Sequence, residues 1–443
     1  MFLRKTLFAL LSAGLAYLPT HSAIAEPAPE YLTFGGASGI FHMPPDGKAS
    51  IAFLAIHRTA NYLTHPTCAE MPKRGFAALC MNTRFTNNEM AVDWDRIAMD
   101  VKAGVEFLRK QPGIQHVVLV GHSGGGPTLS FYQAVAEAGL SFCQDPKKLV
   151  PCRDDLAGLP KADAIVLADA HPGVPVILLR SLNGSVIDEK PGKFDPSLDP
   201  YAAANGFNAT GSSHYSQDFQ ARYYQAQSLR MNQLIDKAFA ERQKIQEGKA
   251  DYPDDEAFLI PHGGNPGAGP GGASQLHSMD TAISLRQTKA PQKLIRNDAS
   301  IVTEVVHSVS PPELDTKMTT NSFTKGTKQL TLTSFLTTQA VRSTNSLDGI
   351  DHCSSNNSTI CAVEKISVPT LVAGMTGYLF IRDSEQIFEH STAKDRDLIY
   401  IEGASHGFSP CKSCGPENAY VNSQKNLFDY IAAWTAKRFP VKP

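Results

Sequence analysis

Ser123 stands in the pentapeptide Gly121-His122-Ser123-Gly124-Gly125, directly behind the apolar run Val117-Val118-Leu119-Val120. The run reads as a strand, and Gly-Pro-Thr-Leu-Ser-Phe-Tyr-Gln-Ala-Val-Ala-Glu-Ala behind the pentapeptide reads as a helix. A serine on a sharp strand-to-helix turn is pushed out of a sheet with its hydroxyl exposed, and glycines flank it because side chains would collide there. The same turn offers the Gly124 N–H at a helix start, where a developing oxyanion is favoured. A serine hydroxyl is a poor nucleophile until a neighbouring base takes its proton. An imidazole titrates near neutrality and suits that role. His57, His122, His171 and His406 all lie near the ends of apolar runs or next to the serine.

These residues need elements to hold them. Ile51–Ile56, Gly75–Met81, Val117–Val120, Ala164–Ala168, Thr370–Ala373 and Leu398–Ile401 read as buried strands. Trp94, Ile97, Val101, Val105 and Leu108 recur at helical spacing, and Pro112-Gly113 ends that helix. Asn426–Arg438 closes the chain as a helix. Strands alternating with helices argue for a mostly parallel central sheet flanked by helices, an α/β fold. Between Asp169 and about Val368 the pattern changes. One long helix, from roughly Gln217 to Gln246, carries Met231, Leu234, Ile235 and Ala238 on one face. Pro261–Gly272 is rich in glycine and proline and reads as flexible and structureless, and Leu330–Phe335 alternates like a strand or an edge. The expected organisation is a signal peptide at 1–25, a core made of 26–169 and 366–443, and a large inserted cap or lid at 170–365. Caps of this kind shape access to a site.

Composition bounds the partners. The chain has 443 residues, 42% hydrophobic and 19% charged, with a formal net charge of -2. No basic stripe appears, so nucleic acid is not an expected partner. Arg4-Lys5, the apolar stretch Leu7–Leu18 and the small-x-small pattern Ala23-Ile24-Ala25 read as an export signal. Export to the periplasm or the medium is expected, with no stable membrane anchor after cleavage. Eight cysteines in an exported chain suggest disulfides. Proximity favours Cys143–Cys152, Cys353–Cys361 and Cys411–Cys414, leaving Cys68–Cys80. Cys411-Lys-Ser-Cys414 has no second pair with which to hold zinc, so no metal is expected.

The elbow at Gly121–Gly125, the strands before it and Glu402-Gly-Ala-Ser-His406-Gly together resemble the α/β-hydrolase superfamily. The resemblance covers roughly Tyr31–Gly173 and Ile366–Phe439 and implies the α/β-hydrolase fold. Its members are mostly esterases, lipases, lactonases and peptidases. It casts Ser123 as nucleophile and His406, last in the family's order of nucleophile, acid and histidine, as general base and acid. His57, His122 and His171 are then more simply structural or substrate-lining. The acid's usual place follows the strand Thr370–Ala373, but Gly374–Ile381 contains no carboxylate. Asp169, ending an earlier strand, is the favoured acid, with Glu385 and Asp383 as alternatives. Asp383 and Glu385 also read as early acidic residues of a helix. Oxyanion donors carried over from the family are Gly124 and, from the loop His57-Arg58-Thr59, Arg58 or Thr59. The Arg58 guanidinium could hold a substrate carboxylate or an ordinary ion pair. The implied activity is an exported serine hydrolase that cleaves a small carboxylic ester or lactone through an acyl-enzyme, with no cofactor. The same triad would serve a peptidase or amidase, and the missing late acid leaves room for a non-catalytic binding protein on a hydrolase scaffold.

Overall fold

The computed structural model describes residues 27–189, 193–262, 275–314 and 326–440. The expected signal at 1–25 lies outside them, as do residues 263–272 of the glycine- and proline-rich stretch. A 10-stranded sheet runs through the molecule. Its strands are β1 (Glu30–Phe34), β2 (Ala37–His42), β3 (Ile51–His57), β4 (Ala77–Asn82), β5 (His116–Ser123) and β6 (Ala164–Ala170). To these it adds β8 (Gln292–Ile295), β9 (Ile301–Glu304), β11 (Thr370–Met375) and β12 (Arg396–Ile401). The spatial order is β1-β2-β4-β3-β5-β6-β11-β12-β8-β9. Every pair from β4 across to β8 is parallel, and the antiparallel pairs sit at the two edges.

β3 shows why the sheet lies in the middle. Ala52, Leu54 and Ile56 join one apolar cluster, while Ile51, Phe53 and Ala55 join the other. Successive side chains point to opposite faces, so a strand apolar at every position must be covered on both. The helix Trp94–Arg109 covers one face with Trp94, Ile97, Val101, Val105 and Leu108, beside the helix Gly125–Ala138. The helix Ser423–Arg438 covers the other with Leu427, Phe428, Ile431 and Trp434. Burying one such side chain is worth roughly 1.5–3 kcal/mol. The two clusters therefore outweigh small differences in helix propensity and fix where the C-terminal ends of β5, β6 and β12 meet.

Part of the segment expected as a cap belongs to the main sheet and core. β8 and β9 come from it and extend the main sheet past β12. They are short, and β9 is largely exposed, so neither shows the continuous apolar run of β3. The helix Thr359–Val363 also returns to the main core through Ile360, Cys361, Ala362 and Val363, ahead of the expected re-entry at residue 366. The remainder of the segment holds two further apolar clusters, and the helix Gln217–Gln246 supplies Met231, Leu234, Ile235 and Ala238 to one and Phe219, Tyr223 and Tyr224 to the other. Leu330–Phe335 is a strand only in part. β10 (Thr327–Thr331) pairs with β7 (Ala257–Pro261), and a helix runs from Leu332 to Thr338. The Thr331 side chain caps that helix by accepting from Ser334 N, so a hydroxyl at the junction ends the alternation.

The disulfides pair as proximity implied: Cys68–Cys80, Cys143–Cys152, Cys353–Cys361 and Cys411–Cys414. The first ties the short helix Pro66–Glu70 to β4, and the last closes a turn just beyond His406. Among the described residues no helix is long and apolar enough to cross a membrane.

Candidate active site

Ser123 is the last residue of β5, and its backbone is left-handed at φ 57°. That conformation costs a non-glycine residue about 1–3 kcal/mol and persists only where the surroundings impose it. Here the helix beginning at Gly125 is jammed against β3: a Cβ on Gly125 would lie 2.4 Å from the Ile56 carbonyl oxygen. Only glycine permits that approach, and the approach forces the sharp turn that presents the Ser123 hydroxyl.

A second irregularity lies alongside. In the β5–β6 ladder His122 pairs with Ala168, but Ser123 pairs with Ala170. Asp169 is the extra residue of a bulge, with φ 44°. A bulge re-aims a side chain that regular pleating would send elsewhere. It turns the Asp169 carboxylate onto His406, with Oδ2 2.5 Å from Nδ1. The other ring nitrogen, Nε2, lies 2.9 Å from Ser123 Oγ. Ser123, Asp169 and His406 are thus contiguous, although the histidine comes from the loop after β12. Burial pushes the Asp169 carboxyl above its ordinary value, against the pull of the His406 ring.

The two alternative carboxylates are engaged in packing. Asp383 accepts from Arg180 Nη1 at 2.8 Å, and the two side chains are only 2% and 3% exposed. Glu385 accepts from the amides of Lys289 and Ala290 and from Gln292 Nε2, clamping the entry of β8 onto the helix Ile381–His390. Removing one partner of a buried pair leaves an uncompensated charge and costs about 3–5 kcal/mol. Asp383→Asn is therefore expected to destabilise the fold by about that amount in urea unfolding, without changing the turnover of the molecules that remain folded. A stability loss below about 1 kcal/mol would contradict the structural role given to the pair.

The loop Gly374–Ile381, which lacks a carboxylate, supplies aromatic rings. Tyr378 stacks on the His406 ring at 4.3 Å, and Phe380 meets it edge-on at 5.6 Å. A chain of histidines grips the His406 backbone from the opposite side. Thr67 N donates to His65 Nδ1, His65 Nε2 lies 3.0 Å from His122 Nδ1, and His122 Nε2 lies 2.7 Å from the His406 carbonyl oxygen. A carbonyl can only accept, so His122 donates from Nε2 and accepts at Nδ1, where the Tyr62 hydroxyl and His65 Nε2 both lie at 3.0 Å; with its Nδ1 accepting from Thr67 N, His65 carries its proton on Nε2 and can donate there. Burial holds His65 down to about 3 and His122 well below the usual imidazole value, so both stay neutral. His122, expected as structural or substrate-lining, is held by these contacts against the His406 backbone. The part played by His65 had no local signal in the sequence.

The oxyanion loop departs from the expectation at one residue. The Thr59 amide donates to His57 Nδ1 at 3.0 Å, and the Ala60 amide does so at 2.7 Å. The Thr59 amide is thus engaged by His57, whereas no such bond engages the Arg58 amide among the described residues. The Arg58 guanidinium makes an ion pair with Glu89 at 2.6 Å. His57 packs tightly on the elbow, and a Cβ on Gly124 would lie 2.6 Å from its Nε2. Burial, reinforced by Arg58, pushes His57 down to about 3. His171, expected as structural or substrate-lining, touches the serine itself: its Nε2 is 3.1 Å from Ser123 Oγ. Its place in Asp169-Ala-His171 was the available signal, because adjacent parallel strands end on the same edge of a sheet.

No family model matches the chain, and no curated protein matches it. Similar solved structures include Est1E from Butyrivibrio proteoclasticus, at 9% identity over 94% of this chain and 100% of that one, with a TM-score of 0.39. A soluble variant of monoglyceride lipase from Saccharomyces cerevisiae matches at 10% identity over 96% of this chain and 99% of that one, with a TM-score of 0.41. The alpha/beta hydrolase GrgF from Penicillium sp. sh18 matches at 12% identity over 92% of this chain and 99% of that one, with a TM-score of 0.39. At such identities and scores these likenesses carry no argument about activity.

Proposed function

We propose that this chain, a mostly parallel sheet flanked by helices with Ser123 at a strand-to-helix turn, is a serine hydrolase of the α/β-hydrolase type acting on carboxylic esters or lactones through an acyl-enzyme. The observation that carries the reading is the unbroken series Asp169 Oδ2, His406 Nδ1, His406 Nε2, Ser123 Oγ, with steps of 2.5 and 2.9 Å. Asp169 holds the imidazole in the tautomer that leaves Nε2 free to accept. His406 takes the hydroxyl proton as Oγ bonds to the carbonyl carbon. The Gly124 and Arg58 amides receive the oxyanion. His406 then returns the proton to the leaving alcohol, and a water repeats the sequence to release the acid. The neutral histidine chain behind His406 adds no competing charge and keeps the loop from drifting. Preorganisation of this kind is what turns proximity into rate.

Export belongs to the same reading. The basic and apolar N-terminal stretch ends in a small-x-small pattern, and the chain behind it is closed by disulfides, which persist in oxidising compartments.

A fluorophosphonate probe tests the proposal directly. An activated serine forms a stable phosphonyl adduct, whereas an ordinary hydroxyl does not. The expected result is one label, located at Ser123 by peptide mass spectrometry. A folded protein that takes up no label would fit a binding scaffold and would overturn the proposal.

A further inference from the structure

Ser123 Oγ is held between two imidazoles, His406 Nε2 at 2.9 Å and His171 Nε2 at 3.1 Å. A hydroxyl has one proton to give and two lone pairs that accept. His406 directs Nδ1 at the Asp169 carboxylate, so its Nε2 is bare and takes the serine proton. The remaining partner can make an attractive contact only by donating. We infer that His171 is a second catalytic imidazole of this site, donating its Nε2–H to Ser123 Oγ and holding the charge that develops there as His406 withdraws the proton. The inference rests on the serine hydrolase reading and extends it.

The surroundings of the ring support this assignment. His171 is 2% exposed, and its Nδ1 has no hydrogen-bond partner among the described residues. The alternative tautomer would bury an N–H with nothing to accept it and would set two lone pairs against each other at Ser123. Placing the proton on Nε2 leaves only an acceptor unmet. Burial, then the nearby His406, hold the ring far below its ordinary value, so it stays a neutral donor and adds no second positive charge beside His406. The position is rigid as well. The His171 amide donates to the Ser123 carbonyl at 3.0 Å, the His171 carbonyl accepts from Thr359 Oγ1 at 2.5 Å, and Phe380 meets the ring edge-on at 5.2 Å. In the reactive step the Oγ–H bond breaks, its proton passes to His406 Nε2 and the Oγ–carbon bond forms. The proton of His171 stays on Nε2 throughout. A fixed donor aimed at developing charge is typically worth about 10²–10³ in kcat.

The experiment uses the full chain with His171→Phe, which keeps bulk without a donor, and His171→Gln, which keeps a side-chain N–H. Steady-state hydrolysis of p-nitrophenyl butyrate and the rate of fluorophosphonate labelling are measured for both. His171→Phe is expected to lose about 10²–10³ in kcat, with a parallel fall in labelling rate and KM within about threefold. His171→Gln is expected to stay within about tenfold of the parent. If His171→Phe does not fold, His171→Met serves as the donor-free variant with the same expected loss. The proposal is overturned if a folded donor-free variant keeps its kcat within about twofold, or if the Gln and donor-free variants fall equally. Ser123→Ala separates the two levels. An inert Ser123→Ala beside a fully active donor-free His171 variant removes only the role of His171. A fully active Ser123→Ala removes the reading beneath it.

Discussion

Ser123→Ala is expected to lower kcat for p-nitrophenyl butyrate by about 10⁴–10⁶ while leaving the fold intact. The loss is large because, on the proposed mechanism, the hydroxyl is the group that becomes covalently attached. Without it His406 has no proton to take, and the oxyanion donors can assist only a direct attack by water. For the same reason His406→Ala should cost about as much, and the double variant should be little worse than either one. Stability should barely change. Alanine suffers the same left-handed strain at φ 57° as serine, and the deleted atom makes its contacts with two side chains, His406 and His171. A thermal melt alongside the kinetics checks that point. Full turnover in a folded Ser123→Ala protein would place the chemistry at another residue.

The legible parts of this molecule are those in which local sequence and tertiary demand coincide. β3, β5 and the helix Trp94–Arg109 are apolar at most of their buried positions, with His57, His122 and Ser123 at the strand ends and Asp100 in the helix as exceptions, so composition largely locates them. The helix Gln217–Gln246 matches the rough bounds read for it because Met231, Leu234, Ile235 and Ala238 recur at helical spacing; its Ser216 cap is seen only in the structure. β8 and β9 escaped notice for the opposite reason. They run along one edge of the sheet, bury few residues and lack an apolar run, and what makes them strands is the register that β12 offers β8 and β8 offers β9. The site divides in the same way. The elbow around Ser123 is encoded in adjacent residues whose glycines answer contacts within the turn itself. The contact between His171 and Ser123 depends on β5 and β6 ending together. The hold of His65 and His122 on the His406 backbone depends on three segments far apart in sequence. Gly374–Ile381 lacks an acid, and it supplies Tyr378, stacked on the His406 ring, and Phe380, edge-on to it, where an acid would otherwise orient the imidazole.

Asp169→Asn should lower kcat by about 10⁴ while leaving the backbone unchanged, which makes it the sharpest test of which carboxylate serves His406. Asparagine is the right replacement because Asp169 sits in a bulge at φ 44°, and asparagine tolerates that region nearly as well as aspartate. Alanine there would mix strain with chemistry. An amide nitrogen facing His406 Nδ1 donates instead of accepting. The ring must then carry its proton on Nε2, where it can no longer take one from Ser123. The damage is to the tautomer and not to the position, so KM for p-nitrophenyl butyrate should move far less than kcat. Asp383→Asn and Glu385→Gln are the controls. Asp383 pairs with buried Arg180 and Glu385 caps the amides of Lys289 and Ala290, so each should lose stability and keep its turnover per folded molecule. An Asp169→Asn protein within about tenfold of the parent, set against an inert Asp383→Asn or Glu385→Gln, would transfer the acid's role to the late helix. It would also leave the bulge at Asp169 without a catalytic reason to exist.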